Sequence, residues 1–188
     1  MQEKRKLWKE QQPEIDLSRL VFLDESGTNT DMTRRYARAK AGQRANDHTP
    51  LNTGKTTTII SSVRADGTTV PMFLSGALNG EKFKEYIERH LVPSLHHGDI
   101  VVMDNLRSHK VDGIEQMIEE AGAIVKYLPP YSPDLNPIEQ MWSKIKAFLR
   151  KVKARSVDVL MDVLPSAFST ISVQDILGWF RHDGYSCS

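Results

Sequence analysis

The sequence predicts an α/β fold: one mixed sheet, an antiparallel hairpin joined to parallel strands, with helices on both faces. Three observations predict it. Short apolar runs closed by polar turns recur at Leu20–Leu23, Asp99–Met103 and Ala123–Leu128. A β-rich stretch, Thr56–Val63, meets the turn signal Ala65-Asp66-Gly67 and returns as Thr68–Leu74. Segments of helical period separate the later runs. A hairpin followed by alternating helix and strand gives such a layered mixed sheet.

The elements follow in order. Residues 1–16 are charged and read as a polar helix or tether ending near Pro13, so the organised domain is expected over 19–185, after a tether at 1–18. Leu20–Leu23 is a buried strand, closed by a turn at Asp24-Glu25-Ser26-Gly27. Residues 31–55 are basic and irregular, and the hairpin comes next. Phe83, Tyr86, Ile87 and Leu91 give Glu81–Leu95 a helical period. A second buried strand, Asp99–Met103, closes at Asp104-Asn105. Ile114, Met117 and Ile118 mark a helix over Val111–Ala121, with Gly122 as its stop. Ala123–Leu128 is expected as a third buried strand. Pro129, Pro130, Pro133 and Pro137 stiffen the following loop, and Asn136-Pro137 opens a helix, Asn as N-cap and Pro at the first helical position. Two further helices fill 156–183. This order is compatible with a ribonuclease-H-like architecture.

Composition narrows the function. A chain of 188 residues buries one sizeable core. The only cysteine is Cys187, which excludes a disulfide framework and a cysteine zinc cluster. The histidines lack ligand spacing; His96 and His97 are adjacent and point apart. The first residues carry no apolar run of a secretory signal, and no stretch has the length of a membrane span. The expectation is a soluble protein of a reducing compartment. Net charge is +1, but its distribution is uneven. Lys144, Lys146, Arg150, Lys151, Lys153 and Arg155 fall in a segment without acidic residues, and Arg34, Arg35, Arg38, Lys40 and Arg44 form a second basic patch.

Two apolar strands end alike, in Asp24-Glu25 and Asp104-Asn105. Ligands of open α/β sheets gather at the carboxyl ends of strands. Close carboxylates repel and favour a shared cation, and oxygen ligands suit Mg²⁺ or Mn²⁺. Either aspartate also reads as an ordinary turn residue. Glu139 stands at the third position of its helix, where it reads as half of a capping box, although a helix N-terminus also keeps a carboxylate ionised as a metal ligand must be. Thirty-four residues separate Asp104 from Glu139.

With that spacing the sequence resembles the DDE transposases of the mariner-like superfamily, most closely their bacterial insertion-sequence branch. The resemblance rests on Leu23-Asp24-Glu25-Ser26-Gly27, Arg35-Tyr36 with Gly42-Gln43-Arg44, and Val102-Met103-Asp104-Asn105 with Ser108-His109. It is strongest over Leu128–Glu139 (LPPYSPDLNPIE), followed by Trp142 and Lys146, and ends at Gly178-Trp179-Phe180 and Gly184-Tyr185. It implies a ribonuclease-H-like DDE catalytic domain over 19–185, with Asp24, Asp104 and Glu139 binding two Mg²⁺ or Mn²⁺ ions. It implies strand cleavage at transposon ends and transfer of the 3′ ends into target DNA, in the family usually at a TA dinucleotide. Glu25, Asn105 and His109 are expected to support the triad rather than ligate. The basic segments are expected to contact DNA phosphates, through Arg34, Arg35, Lys144, Lys146, Arg150, Lys151 and Lys153; a solvated helix face is the alternative.

Family members carry helix-turn-helix units before the catalytic core. None is legible before Leu20, so a separate domain or chain is expected to recognise the transposon ends. A homodimer on double-stranded DNA and a cytoplasmic, nucleoid-associated bacterial location complete the expectation; the alternative is a regulatory remnant that binds DNA without cutting it. Trp142 and Trp179 read as core residues. Gly54-Lys55-Thr56 is not a phosphate loop: its first glycine is replaced by Thr49, and it precedes a strand rather than a helix.

Overall fold

The computed structural model describes residues 2–34, 36–49, 51, 56–105 and 112–185. Arg35, His109, the Gly54-Lys55 pair and Cys187 lie outside the described residues.

Five strands form one sheet in the order β3-β2-β1-β4-β5. They are β1 (Leu20–Thr28), β2 (Thr57–Arg64), β3 (Met72–Ser75), β4 (Ile100–Met103) and β5 (Ile124–Tyr127). β1 pairs antiparallel with β2, and β2 with β3. β1 pairs parallel with β4, and β4 with β5. This is the expected mixed sheet. The hairpin turn at Ala65-Asp66-Gly67 forms, closed by the Gly67 N–H donating to the Arg64 carbonyl.

Side chains alternate across a strand, and here the alternation divides the core. Leu20, Phe22, Ile100 and Val102 face one way, into a cluster with helices α4 (Pro137–Val152), α5 (Val157–Phe168) and α6 (Val173–His182). Val21, Leu23, Val101 and Met103 face the other way, against α2 (Gly80–Tyr86), the π-helical turn Ile87–Leu91 that continues it, and α3 (Ile114–Glu120). Each such side chain, fully buried, contributes roughly 1.5–3 kcal/mol.

Three local expectations change. β1 does not end at Leu23 but runs on to Thr28, because β2 pairs with it residue by residue as far as Thr28↔Thr57. β5 is not buried: it is the edge strand, and Ile124 is 47% exposed. α3 is shorter than 111–121, starting after Gly113 in the left-handed region. Gly122 does stop it, at φ +81, and a Cβ there would meet the His97 ring at 2.8 Å.

Residues before β1 form α1 (Gln2–Gln11). Its Trp8 is buried, and the Trp8 indole N–H donates to the Tyr185 hydroxyl at 3.0 Å. That hydroxyl donates to the Leu135 carbonyl at 2.8 Å, and Gln12 Nε2 donates to the Asp183 carbonyl at 2.9 Å. The first helix and the segment after α6 are thus joined beside the loop that leads into α4.

Candidate active site

The carboxylates are placed by strand register. Leu20↔Ile100 and Phe22↔Val102 are paired across β1 and β4, and the last parallel pair is Leu23↔Met103. Asp24 and Asp104 occupy the next rung, both on the face covered by α4 by the period of two. β1 and β4 part there, because β1 continues along β2 while β4 stops. α4 packs over β1 and supplies Glu139 from its first turn. Asp24, Asp104, Asn105, Asn136 and Glu139, together with Leu128–Pro133, line one cleft of about 580 Å³.

The electrostatics are those of crowded negative charge. Asp24 is 7% exposed. Burial, then repulsion from Glu139 and from Glu25, pushes its carboxyl up to about 8; hydrogen bonds from the Glu25 backbone N–H and the Trp142 indole offset this only in part. The Trp142 bond is 3.0 Å long, to Asp24 Oδ2. Glu139 keeps an exposed face to the cleft, but burial of the rest of its carboxyl raises it. Lys146, two turns along the same helix, draws it down, and Asp104 pushes it up.

The capping alternative for Glu139 does not hold. Asn136 occupies the cap position, but its side chain accepts no cap hydrogen bond, and the first-turn contact is the Glu139 backbone N–H on the Asn136 carbonyl at 3.0 Å. Asn136 Oδ1 is instead buried without a hydrogen-bond partner in the wall of the cleft.

The donors suit a hard divalent cation: three carboxylates and an orphaned amide oxygen around one water-accessible cleft. Among the described residues, no group of three or more His, Cys, Asp or Glu side chains is drawn together closely enough to hold an ion as it stands.

The other expected site residues are dispersed. Asn105 lines the cleft. Glu25 lies one residue along β1 from Asp24, so it points to the opposite face; it reaches the site through its backbone N–H and its charge. Lys146 is electrostatically coupled to Glu139. Lys144 Nζ pairs with Asp175 at 2.5 Å, and Lys153 Nζ contacts both Asp47 oxygens at 2.6 Å. Arg150 and Lys151 lie on the last turns of α4, Arg150 partly buried and Lys151 exposed. Arg34 shares a depression with Lys153, Tyr36 and Asp47, which brings the two basic segments together. Arg155 fixes the long β1–β2 connection by donating to the carbonyls of Thr30, Met32 and His48.

Sequence reasoning missed two features. Trp142 is core, as expected, but its N–H also holds Asp24. The signal was its position three residues after Glu139, on the same helix face. The second is the loop before α4. Arg5 donates to the Tyr131 carbonyl, Ser132 Oγ and both Asp134 oxygens at 2.8–3.1 Å. Tyr131 itself sits at φ +57, a conformation that costs a bulky residue on the order of 1–2 kcal/mol. No spacing rule links residues this far apart.

A ribonuclease-H-like sheet with an acidic cleft at the carboxyl ends of its central strands defines the class. The fold matches solved structures of a transposase. The Mos1 transposase paired-end complex with left transposon end superposes with a TM-score of 0.72 at 18% identity, covering 96% of this chain and 56% of that chain. The mariner Mos1 paired end complex with Mg gives 0.72 at 18% identity, over 96% and 58%. The isolated catalytic domain of Mos1 mariner transposase gives 0.62 at 15% identity, over 96% and 83%. This likeness establishes the fold, and the chain spans little more than half the length of the Mos1 protein in those complexes. The family follows from the sequence: the model for the DDE superfamily endonuclease domain matches residues 19–161, and the chain belongs to that family. No curated protein matches the chain by sequence.

Proposed function

We propose that this chain is the catalytic core of a DNA transposase of the mariner-like superfamily, from its bacterial insertion-sequence branch, cleaving strands at transposon ends and transferring them into target DNA. One observation carries the reading: Asp24, Asp104 and Glu139, from three separate elements, line one cleft in a DDE-family chain. Asp24, Asp104 and Glu139 would hold two Mg²⁺ or Mn²⁺ ions. Bound there, such ions supply a nucleophile from water at neutral pH and neutralise charge developing on a phosphoryl group.

The chain's own residues do the rest. Trp142 and the Glu25 backbone N–H fix the Asp24 carboxylate. Lys146 keeps Glu139 toward its ionised form. Glu25 and Asn105 support the triad. Arg34, Lys146, Arg150 and Lys151 contact DNA phosphates, whereas Lys144 and Lys153 first exchange the carboxylate partners they hold here. Arg35 and His109 keep their expected roles, DNA contact and triad support. A homodimer acting on double-stranded DNA, end recognition by a further domain or chain, and a cytoplasmic, nucleoid-associated setting complete the proposal. No helix among the described residues is long and apolar enough to cross a membrane.

The test is strand cleavage of DNA carrying transposon ends, with Mn²⁺ or Mg²⁺ and a supplied recognition domain. Wild type nicks and Asp104→Asn does not. DNA binding that falls with salt, without nicking, would instead support the regulatory-remnant reading.

A further inference from the structure

We infer that Tyr131 is a substrate-contacting residue: its ring stacks on a nucleobase of the DNA strand that enters the acidic cleft, and Arg5 holds it ready to do so. The inference rests on the nuclease reading above and adds a ligand contact to it.

Two non-glycine residues among those described have positive φ, Tyr131 and Lys153. Lys153 is explained by its position, since it caps the C-terminal end of α4, where that conformation ends a helix. Tyr131 caps nothing. Its side chain is 86% exposed, so burial does not explain why an aromatic rather than a glycine occupies a strained position. Strain kept by its surroundings marks a site of function more often than a defect. The position supplies that function, because Tyr131 forms the rim of the cleft that holds Asp24, Asp104 and Glu139.

The conformation is imposed from outside the loop. Arg5, from α1, holds the Tyr131 carbonyl at 3.1 Å, Ser132 Oγ at 2.8 Å and Asp134 at 2.8–2.9 Å. The Tyr185 hydroxyl holds the Leu135 carbonyl at the other end. Pro129, Pro130 and Pro133 fix further φ angles. The backbone is therefore clamped while the ring stays in solvent. An aromatic ring held at the mouth of a phosphate-handling cleft is matched by the flat face of a base, and such stacking tolerates any sequence.

The experiment uses the full chain and a forked DNA duplex with 2-aminopurine in its single-stranded arm, in Ca²⁺ so that cleavage does not compete. Wild type should quench the fluorescence. Tyr131→Ala and Tyr131→Gly should lose the quenching and weaken binding by about 5- to 150-fold, while Tyr131→Phe stays within about twofold. Glycine adopts positive φ without steric cost, so Tyr131→Gly should melt no lower than wild type, which separates lost contact from lost fold. Unchanged quenching and affinity in Tyr131→Gly would overturn the inference while leaving the nuclease reading intact, if wild type still nicks DNA with Mn²⁺. Lowered self-association with unchanged DNA affinity would make Tyr131 a protein interface and also overturn it. A wild-type chain that neither binds nor nicks DNA overturns both.

Discussion

Asp24 and Asp99 are both buried aspartates beside the central strands β1 and β4, at opposite ends of the sheet, and their surroundings oppose each other. Asp99 is 2% exposed. Burial pushes its carboxyl upward, but Arg64, at 2.6 and 3.0 Å, and the His96 backbone N–H at 2.7 Å more than compensate, and it lies below the usual carboxylate range. Among the described residues no cation is paired with Asp24; it has two further carboxylates as electrostatic neighbours and an indole N–H, and is raised to about 8. The same residue at similar depth is a finished ion pair in one place and a carboxyl crowded by other acids in the other. The difference teaches how to read buried acids. The end of the sheet whose charges are settled within the protein is structural, and the end with crowded carboxylates is where the proposed cation would bind.

The largest expected effect breaks the settled end. Asp99→Asn leaves the buried Arg64 guanidinium without its counter-charge and should lower the unfolding free energy by about 3–5 kcal/mol, read by urea denaturation. Cleavage by the fraction that stays folded should be unchanged.

The next sharpens the unsettled end. Trp142→Phe keeps an aromatic ring but removes the N–H on Asp24. It should weaken Mn²⁺ binding roughly 10- to 100-fold, the range for a lost outer partner of a metal ligand. Calorimetry would measure it, and unchanged affinity would make Trp142 a packing residue alone.

The smallest concerns a third buried acid, Asp183. Burial raises it to about 6, and a hydrogen bond from Gln140 offsets this only in part. A carboxyl raised in the folded chain stabilises the fold while it stays protonated. That contribution is present below the ordinary carboxylate range and is lost as pH rises through about 6. Asp183→Asn should therefore remove a decline in stability between about pH 4 and about pH 7, a gap on the order of 1–2 kcal/mol after solvent screening. Thermal melts across that range would show it.

The mixed sheet, the hairpin and the proline-opened helix were legible in the sequence because period and turn residues are local signals, and motif spacing singled out three acids that line one cleft. The reach of β1 was not, because Asp24–Thr28 reads as turn chemistry and is held extended only by its partner β2. β5 read as buried because an apolar run does not reveal that its strand will lie at the edge. Glu139 read locally as a cap; α4 packing over β1, a long-range fact, brings it to the cleft instead. The Arg64–Asp99 pair and the Arg5 clamp join residues 35 and 126–129 positions apart, where periodicity carries no information.

The central claim is that the crowded carboxylates at the Asp24 end await a divalent cation, and thermal melting of wild type and Asp24→Asn with and without Mn²⁺ tests it most directly. Without metal at about pH 7, Asp24→Asn should melt higher than wild type, by on the order of 1–3 kcal/mol of stability, because a carboxyl raised to about 8 must take up a proton to be buried there and the amide need not. With Mn²⁺, wild type should rise and the variant should not. A variant that melts lower without metal, or that gains as much from Mn²⁺ as wild type, would contradict the account.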